Sequence, residues 1–414
     1  MLEVMFIGAF VVVGMNWTLT LNFLCLMFIF FLLEVYDDGV YLVKLIMILL
    51  SLWLVMMMFF SVEFNEQKFV LKLMFMMVLY FLEVVFYSDS LIMFYIGFEA
   101  SVIPILLIIF GWGYQPDRLE AGFYMIMYTV FFSLPLLLSI FLWEFMLISM
   151  NSIILVFLLA FLVKFPLFGL HLWLTRAHVE APVYGSMILA GVMLKLGGYG
   201  LFKISFLGGD LILFSSEWLI VYSIFGGVIL SMICFMQSDM KVLIAYSSII
   251  HMSLVLSGIL TMSELGMNGG IYMMVGHGLC SSGLFCMLGF VYNRTNSRSI
   301  YVNKGLLTVL PVGSLWWFMF CMGNISFPPS LNLAGELCLF ITLVGWDSLI
   351  VFLLIFLSFL SSMYSIYLYS FSQHGLFCKN YSFNSFSLRE SLVMFLHWIP
   401  LNVLMLDLSF LSFY

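Results

Sequence analysis

Six ionisable residues, Glu99, Lys164, Lys195, His251, His277 and Glu336, stand near the centres of long apolar runs. A single Lys or Asp at a membrane-helix centre costs ~2.5–3.5 kcal/mol on insertion scales, so groups of this kind are expected to face a hydrated interior and to do chemistry there. The chemistry open to amines, carboxylates and imidazoles together is the gain and loss of protons. A buried amine releases its proton more readily as water is withdrawn, and a nearby carboxylate opposes that release. Contact between Glu99 and Lys164 would therefore hold a proton, and separation would free it. Imidazoles, which titrate at about 6.5, suit His251 and His277 to accept the proton and pass it on. Glu336, beyond a proline pair, suits an exit group. The competing reading is of buried pairs that only clamp helices together, which any one residue could satisfy but which the set of six makes hard to sustain.

Other polar residues carry weaker signals. His171 follows Lys164 by seven residues, about two helical turns, so relay support and core packing are both open to it. Arg176, His178 and Glu180 fall at a span end, where interfacial hydrogen bonding is the default. Lys72 and Glu83 are near enough to span ends to reach polar surroundings, and His374 and His397 have no visible intramembrane partner. Gly197-Gly198-Tyr199-Gly200 lies inside an apolar run without the strand-turn-helix context of a nucleotide loop, so close helix packing is expected. The seven cysteines lack zinc or iron-sulfur spacing and read as small apolar filler. No flavin, nicotinamide, haem or iron-sulfur signature is present.

The elements that must position the six residues are membrane helices. The chain of 414 residues is 64% hydrophobic and 8% charged, against about 25% charged in ordinary soluble domains. Its net charge of −7 is dispersed among short loops and isolated sites, leaving no basic face for nucleic acid. Apolar windows predict an all-α polytopic protein with spans near 17–34, 40–60, 69–86, 90–110, 122–142, 151–174, 183–206, 217–235, 241–261, 269–292, 305–345, 348–371 and 391–412. Residues 4–15 could add a fourteenth to these thirteen. Residues 1–14 contain Glu3 and no Lys or Arg, unlike a basic leader. The abundance of Phe, Met and Tyr suggests the codon composition of a T-rich organellar genome.

Charge alternation supports this layout. Lys68, Arg118, Arg176, Lys241, Arg294, Arg298, Lys304, Lys379 and Arg389 fall on one side, while Asp37, Asp38, Asp89, Glu144, Asp210, Glu217, Glu264 and Asp347 fall on the other. The basic side is expected to be the inside. The alternation requires 305–345 to cross once, and Phe327-Pro328-Pro329 supplies the necessary break, because proline has no amide donor and crowds the preceding turn. Phe165-Pro166, followed by Gly169, interrupts 151–174 likewise. Paired breaks point to inverted repeats with a midplane site, 69–206 against 217–371, flanked by N-terminal helices in 1–68 and by a loop and last span in 372–414. Ser88-Asp89 and Ser238-Asp239 precede the second span of each half, with an ionisable residue 10 to 12 positions beyond the Asp.

At these residues a family becomes recognisable. Tyr95-Ile96-Gly97-Phe98-Glu99-Ala100, Trp112-Gly113-Tyr114-Gln115-Pro116-Asp117-Arg118-Leu119 and Lys164-Phe165-Pro166-Leu167-Phe168-Gly169-Leu170-His171-Leu172-Trp173-Leu174 resemble the chain 4 family of NADH:ubiquinone oxidoreductase, respiratory complex I. So do Ala177-His178-Val179-Glu180-Ala181-Pro182, Leu194-Lys195-Leu196-Gly197-Gly198-Tyr199-Gly200, Asp239-Met240-Lys241, Ala245-Tyr246-Ser247-Ser248-Ile249 with His251, Gly276-His277-Gly278-Leu279, and Pro328-Pro329 through Gly335-Glu336. The resemblance covers 69–371, while the N-terminus and the loop near 143–150 look short for the family.

The resemblance implies an antiporter-like fold of two inverted five-helix repeats, each with a Pro-broken helix, in the mitochondrial inner membrane. It implies that Glu99 and Lys164 form a coupling pair, that Lys195, His251 and His277 continue a hydrophilic axis, and that Glu336 ends it. Proton translocation would then be driven by quinone reduction elsewhere in the complex. NADH, FMN, iron-sulfur clusters and ubiquinone would sit on other subunits. Partners would be neighbouring antiporter-like and other membrane-arm chains and lipids such as cardiolipin. A stand-alone cation/proton antiporter subunit is the nearest rival. A purely structural helix bundle is the other, although it should lack a line of midplane ionisable groups.

Overall fold

The computed structural model describes residues 16–33, 39–63, 66–113, 115–144, 150–376 and 384–412, together with Gly14. The candidate fourteenth span therefore lies outside the described residues apart from Gly14. The described chain is helical, with a single isolated bridge, between Asp239 and Ser299, in place of any strand.

In chain order the helices are α1 (Trp17–Leu33), α2 (Gly39–Ser61), α3 (Phe69–Tyr87), α4 (Leu91–Ala100), α5 (Val102–Trp112), α6 (Arg118–Glu144), α7 (Met150–Lys164), α8 (Leu172–Glu180) and α9 (Val183–Ile188). A π-helical turn, Leu189–Met193, joins α9 to α10 (Leu194–Cys234). There follow α11 (Met240–Leu260), α12 (Glu264–Thr295), α13 (Leu306–Val309), α14 (Pro311–Asn324), α15 (Leu331–Trp346), α16 (Val351–Gln373) and α17 (Leu388–Leu406). Among the described residues nine segments are long and apolar enough to cross a membrane; of the other expected spans, three fall on shorter or broken helices and the last on the 19-residue helix Leu388–Leu406, which is outside the nine.

Three departures from the expected spans have identifiable causes. The stretch 90–110 divides at Ser101, because Pro104 cannot donate to the Ala100 carbonyl and its ring crowds that oxygen. The helix interrupted at Pro166 resumes as α8 and runs on to Glu180, past the expected end at 174. Where a loop is expected between 183–206 and 217–235, α10 continues without interruption over 41 residues. Gly208 and Gly209 lower helix propensity by only about 1 kcal/mol each, and no proline blocks the segment. Candidate spans nevertheless fall separately at its two ends, Val183–Phe206 and Ser216–Cys234.

The centre of the bundle is α12. Its most apolar window is 100% buried, against 33% for those of α6 and α16, so α12 is core and the other two lie at the periphery. Around α12 pack α2, α9, α11, α14, α15 and α17. Small residues permit this close approach. A Cβ on Gly197 would lie 2.8 Å from the Phe165 backbone nitrogen, and one on Gly335 would lie 2.8 Å from that of Met273. The first seam presses α10 onto the end of α7, as the glycine-rich run leads one to expect, and the second presses α15 onto α12. These are the helices that carry Lys195, Lys164, Glu336 and His277.

The basic loops gather at one end of the bundle. Arg389 donates to the Phe60 and Val62 carbonyls, Arg294 pairs with Glu390 at 2.7 Å, and Arg298 reaches Asp239 at 3.6 Å. At the opposite end Lys44 pairs with Asp89, and Lys203 donates to the Ser88 carbonyl at 2.7 Å.

Candidate functional site

Each broken helix has a side chain from beyond its break donating to one of its last carbonyls. Pro166 leaves the last turn of α7 short of a donor, and Trp173 Nε1, from the helix beyond the break, donates to the Val163 carbonyl at 3.0 Å. In the second break Asn332 Nδ2, again from the helix beyond, donates to the Gly323 carbonyl at 2.9 Å. Gly169 (φ 90°) and Ser326 (φ 63°) turn the chain through the left-handed region, and the Pro328-Pro329 peptide is cis. His171 Nδ1 accepts from the Gly169 amide at 3.1 Å, so this histidine supports the turn, and Phe168 stacks on its ring.

Lys164 is the last residue of α7 and is 2% exposed. Its ammonium does not pair with Glu99. It donates to the Phe98 carbonyl at 3.3 Å and lies 4.1 Å from the centre of the Phe98 ring. That carbonyl, in the turn before the α4–α5 break, also accepts from Ser101 Oγ at 2.8 Å. Glu99 stands one residue away, near Ser133 of α6, with Oε1 buried and unpartnered. Donor and carboxylate therefore sit side by side in electrostatic reach but out of contact.

The remaining four residues form a file through the core. Lys195 is fully buried, and its ammonium donates to the Ala190 carbonyl at 2.5 Å and meets His277 Nδ1 at 3.1 Å. The Ala190 carbonyl belongs to the π turn, whose wider bonding, Leu194 N to Leu189 O, places an extra residue immediately before Lys195. Against a protonated Lys195, His277 Nδ1 would accept and the proton of the neutral ring would sit on Nε2, which is buried and unpartnered. The His277 and His251 rings follow at 5.5 Å between centroids. His251 Nδ1 lies 3.4 Å from Glu336 Oε1, and Tyr364 Oη lies 3.5 Å from His251 Nε2. Glu336 is the most open member, its side chain 16% exposed.

The structure therefore joins Lys195, His277, His251 and Glu336, sets Glu99 and Lys164 beside each other, and leaves those two groups unconnected by direct contact. Sequence reading missed Tyr364 and Asn332 and misplaced His178. Tyr364 and Asn332 sit among many apolar or neutral residues with nothing in their spacing to mark them. His178 is assigned by sequence to an interface, yet it is fully buried, with both ring nitrogens unpartnered. Glu83 and Lys72, set aside as near span ends, are also buried, at 3% and 5% exposure. His397 is buried too, with Nδ1 at 2.8 Å from the Val393 carbonyl of its own helix. Arg176 behaves as expected at a surface, 3.7 Å from Glu120 with both side chains more than half exposed.

Residues 88–363 match the family described as NADH:quinone oxidoreductase/Mrp antiporter, TM. The chain belongs to this family. The match takes in all six axis residues and both breaks. Across almost the whole chain the family's curated members are close: NADH-ubiquinone oxidoreductase chain 4 of Ceratitis capitata is 46% identical, over 98% of this chain and 92% of its own length. A chain of the respiratory complex I structure from Thermus thermophilus with bound NADH superposes with a TM-score of 0.85, at 20% identity, over 97% of this chain and 93% of that one. A chain of the Mrp complex from Dietzia sp. gives 0.79 at 18% identity, over 89% of this chain and 42% of that one. At such identities these two likenesses speak for the fold alone, which is that of the antiporter-like membrane subunits.

Proposed function

We propose that this chain is the proton-translocating, antiporter-like subunit of an NADH:ubiquinone oxidoreductase, carried by one observation: the file Lys195–His277–His251–Glu336 through the core of the bundle. Its near-complete match to chain 4 of that enzyme favours this reading over a subunit of a stand-alone cation/proton antiporter. NADH oxidation, FMN, the iron-sulfur clusters and quinone reduction belong to other subunits, and this chain contributes no redox centre. Its place is the mitochondrial inner membrane, among neighbouring membrane-arm chains and lipids such as cardiolipin, with the basic loops on the matrix side. Residues 69–206 and 217–371 act as the two inverted repeats.

The chemistry follows from the geometry. With Lys164 held by the Phe98 carbonyl and Glu99 out of contact, the coupling pair stands open. Closing it would favour the protonated amine, and reopening it would release the proton. In the file, Lys195 passes a proton to His277 Nδ1 while the ring releases its Nε2 proton toward His251, and Glu336 accepts it from His251 Nδ1. Each ring takes up one proton and gives up one, so the file returns to neutral imidazoles.

Lys164→Ala tests this reading in the intact complex. Assembly should persist while protons pumped per NADH in sealed vesicles, and the coupled quinone reductase rate, fall by about tenfold or more. Pumping equal to the parent would remove Lys164 from the mechanism. Copurification in mild detergent separates the rival, because an antiporter subunit would arrive in a small complex without NADH-oxidising activity.

A further inference from the structure

Protons that leave by Glu336 must first reach Lys195, which is fully buried. The basic-loop end of the molecule offers a route. Two other chain segments converge there on the end of α8. Lys241, 2% exposed at the start of α11, donates to the carbonyls of Val179 at 3.3 Å and Ala181 at 2.8 Å. Arg298, from the loop after α12, donates to the Val179 carbonyl at 2.5 Å, lies 4.0 Å from Glu180 Oε1, and bridges to Asp239. These contacts fix the backbone of residues 179–181, and the two ionisable side chains beside it are Glu180 and His178.

Both hold unpartnered buried atoms. Glu180 is 5% exposed with Oε2 unpartnered, and His178 is 0% exposed with neither ring nitrogen bonded. Buried polar atoms in folded proteins are nearly always hydrogen-bonded, so a carboxylate oxygen and two imidazole nitrogens left open in sequence mark a path for exchangeable protons more readily than apolar packing does. His178 is also in electrostatic reach of Lys241, of Lys195 and of His277. It stacks flat on Phe285 of α12, 4.6 Å between centroids and 1° between planes.

We propose that His178 is the uptake relay of this subunit, receiving protons from Glu180 at the basic-loop face and delivering them to Lys195 and His277; this rests on the translocation reading above. Residues two apart on a helix do not share a face, so transfer from Glu180 to His178 passes through a bridging water. One nitrogen takes up a proton as the other gives one up. A water-mediated shift of the remaining proton from the first nitrogen to the second then restores the tautomer, with the ring keeping its plane against Phe285. Arg298 and Lys241 hold the relay in place and do not themselves carry the proton.

The test is His178→Gln in the intact complex, with Phe285→Leu and Lys164→Ala made alongside. Gln keeps a polar side chain but cannot shuttle a proton. The expected result is normal assembly on native gels, NADH oxidation with an artificial acceptor at the parent rate, and pumping per NADH in vesicles reduced by about fivefold or more. Because supply is then limiting, lowering the pH on the uptake side by one unit should recover part of the loss. Phe285→Leu, which loosens the stack but keeps the imidazole, should pump within about twofold of the parent. Parent-level pumping by the Gln variant while Lys164→Ala is impaired overturns the uptake role and leaves the axis standing. Parent-level pumping by both overturns the translocation reading as well. If Phe285→Leu fails as badly as His178→Gln and neither responds to pH, the histidine is a packing residue and the proposal falls.

Discussion

The two breaks solve the same backbone problem and then diverge in what they do with it. Each interrupts a helix at proline, and across each a side chain from the helix beyond donates to a carbonyl near the end of the helix before it, Trp173 in the first half and Asn332 in the second. In the first half the ionisable residue precedes the break, and its ammonium rests on a carbonyl and an aromatic face, apart from the carboxylate it could meet. In the second half the carboxylate follows the break and already touches a histidine. The same kind of break thus leaves a separated pair on one side and a connected file on the other. On the proposed reading, the first would change state by a small movement of Lys164, whereas the second would conduct only while its contacts persist.

The comparison can be broken most severely at the file's end. Glu336→Gln keeps size and hydrogen bonding but cannot ionise, so pumping per NADH should fall about tenfold or more with assembly intact, while Glu336→Asp should keep part of it. Proton flux in proteoliposomes beside the parent enzyme checks both. An unaffected Gln variant would make the second break structural and the exit would lie elsewhere. A smaller effect tests the scaffold: Trp173→Phe and Asn332→Ala each remove one hydrogen bond across a break and should each cost about 1 kcal/mol, read as a lower thermal inactivation temperature of the complex. If only one is destabilising, the two breaks are not equivalent.

The smallest effect concerns the surface pair at the far end of the bundle. The hydrogen bond from Lys44, together with its charge and that of Lys203, holds the Asp89 carboxyl below the usual carboxylate range despite some desolvation. A depressed folded-state value stabilises above the unfolded value of about 3.9 and is lost only as pH falls through the lowered one. Asp89 is 87% exposed, so solvent screening leaves the pair at most about 1 kcal/mol. Asp89→Asn should therefore lower thermal stability slightly and by the same amount at pH 6 and pH 8. A loss that changed between those two values would mean that a different group is titrating.

Much of this was legible beforehand because apolar length, proline and isolated charge are strong signals in a membrane. Phe165-Pro166 and Pro328-Pro329 announced both breaks, and of the six ionisable residues four are buried and Glu99 and Glu336 are partly so, with four of the six in one file. Contacts between helices were not legible. Nothing in the spacing of His178 separates a buried ring from an interfacial one, since that depends on Arg298 and Lys241 arriving from segments distant in sequence. The Ser101 break was open to inference from Pro104, whose carbonyl clash falls one residue after Glu99. The absence of a Glu99–Lys164 contact was not, because either spacing satisfies the same sequence.

The π turn before Lys195 also fixes the phase of everything that follows it. One residue more than an α-helical turn advances the remainder of the helix by about 100° around its axis. Deleting a single residue from 189–193 would restore ordinary helix and swing the Lys195 ammonium about a quarter-turn away from His277, with no change in the composition of the file. A one-codon loss at that point would break the Lys195–His277 contact as thoroughly as losing the lysine itself.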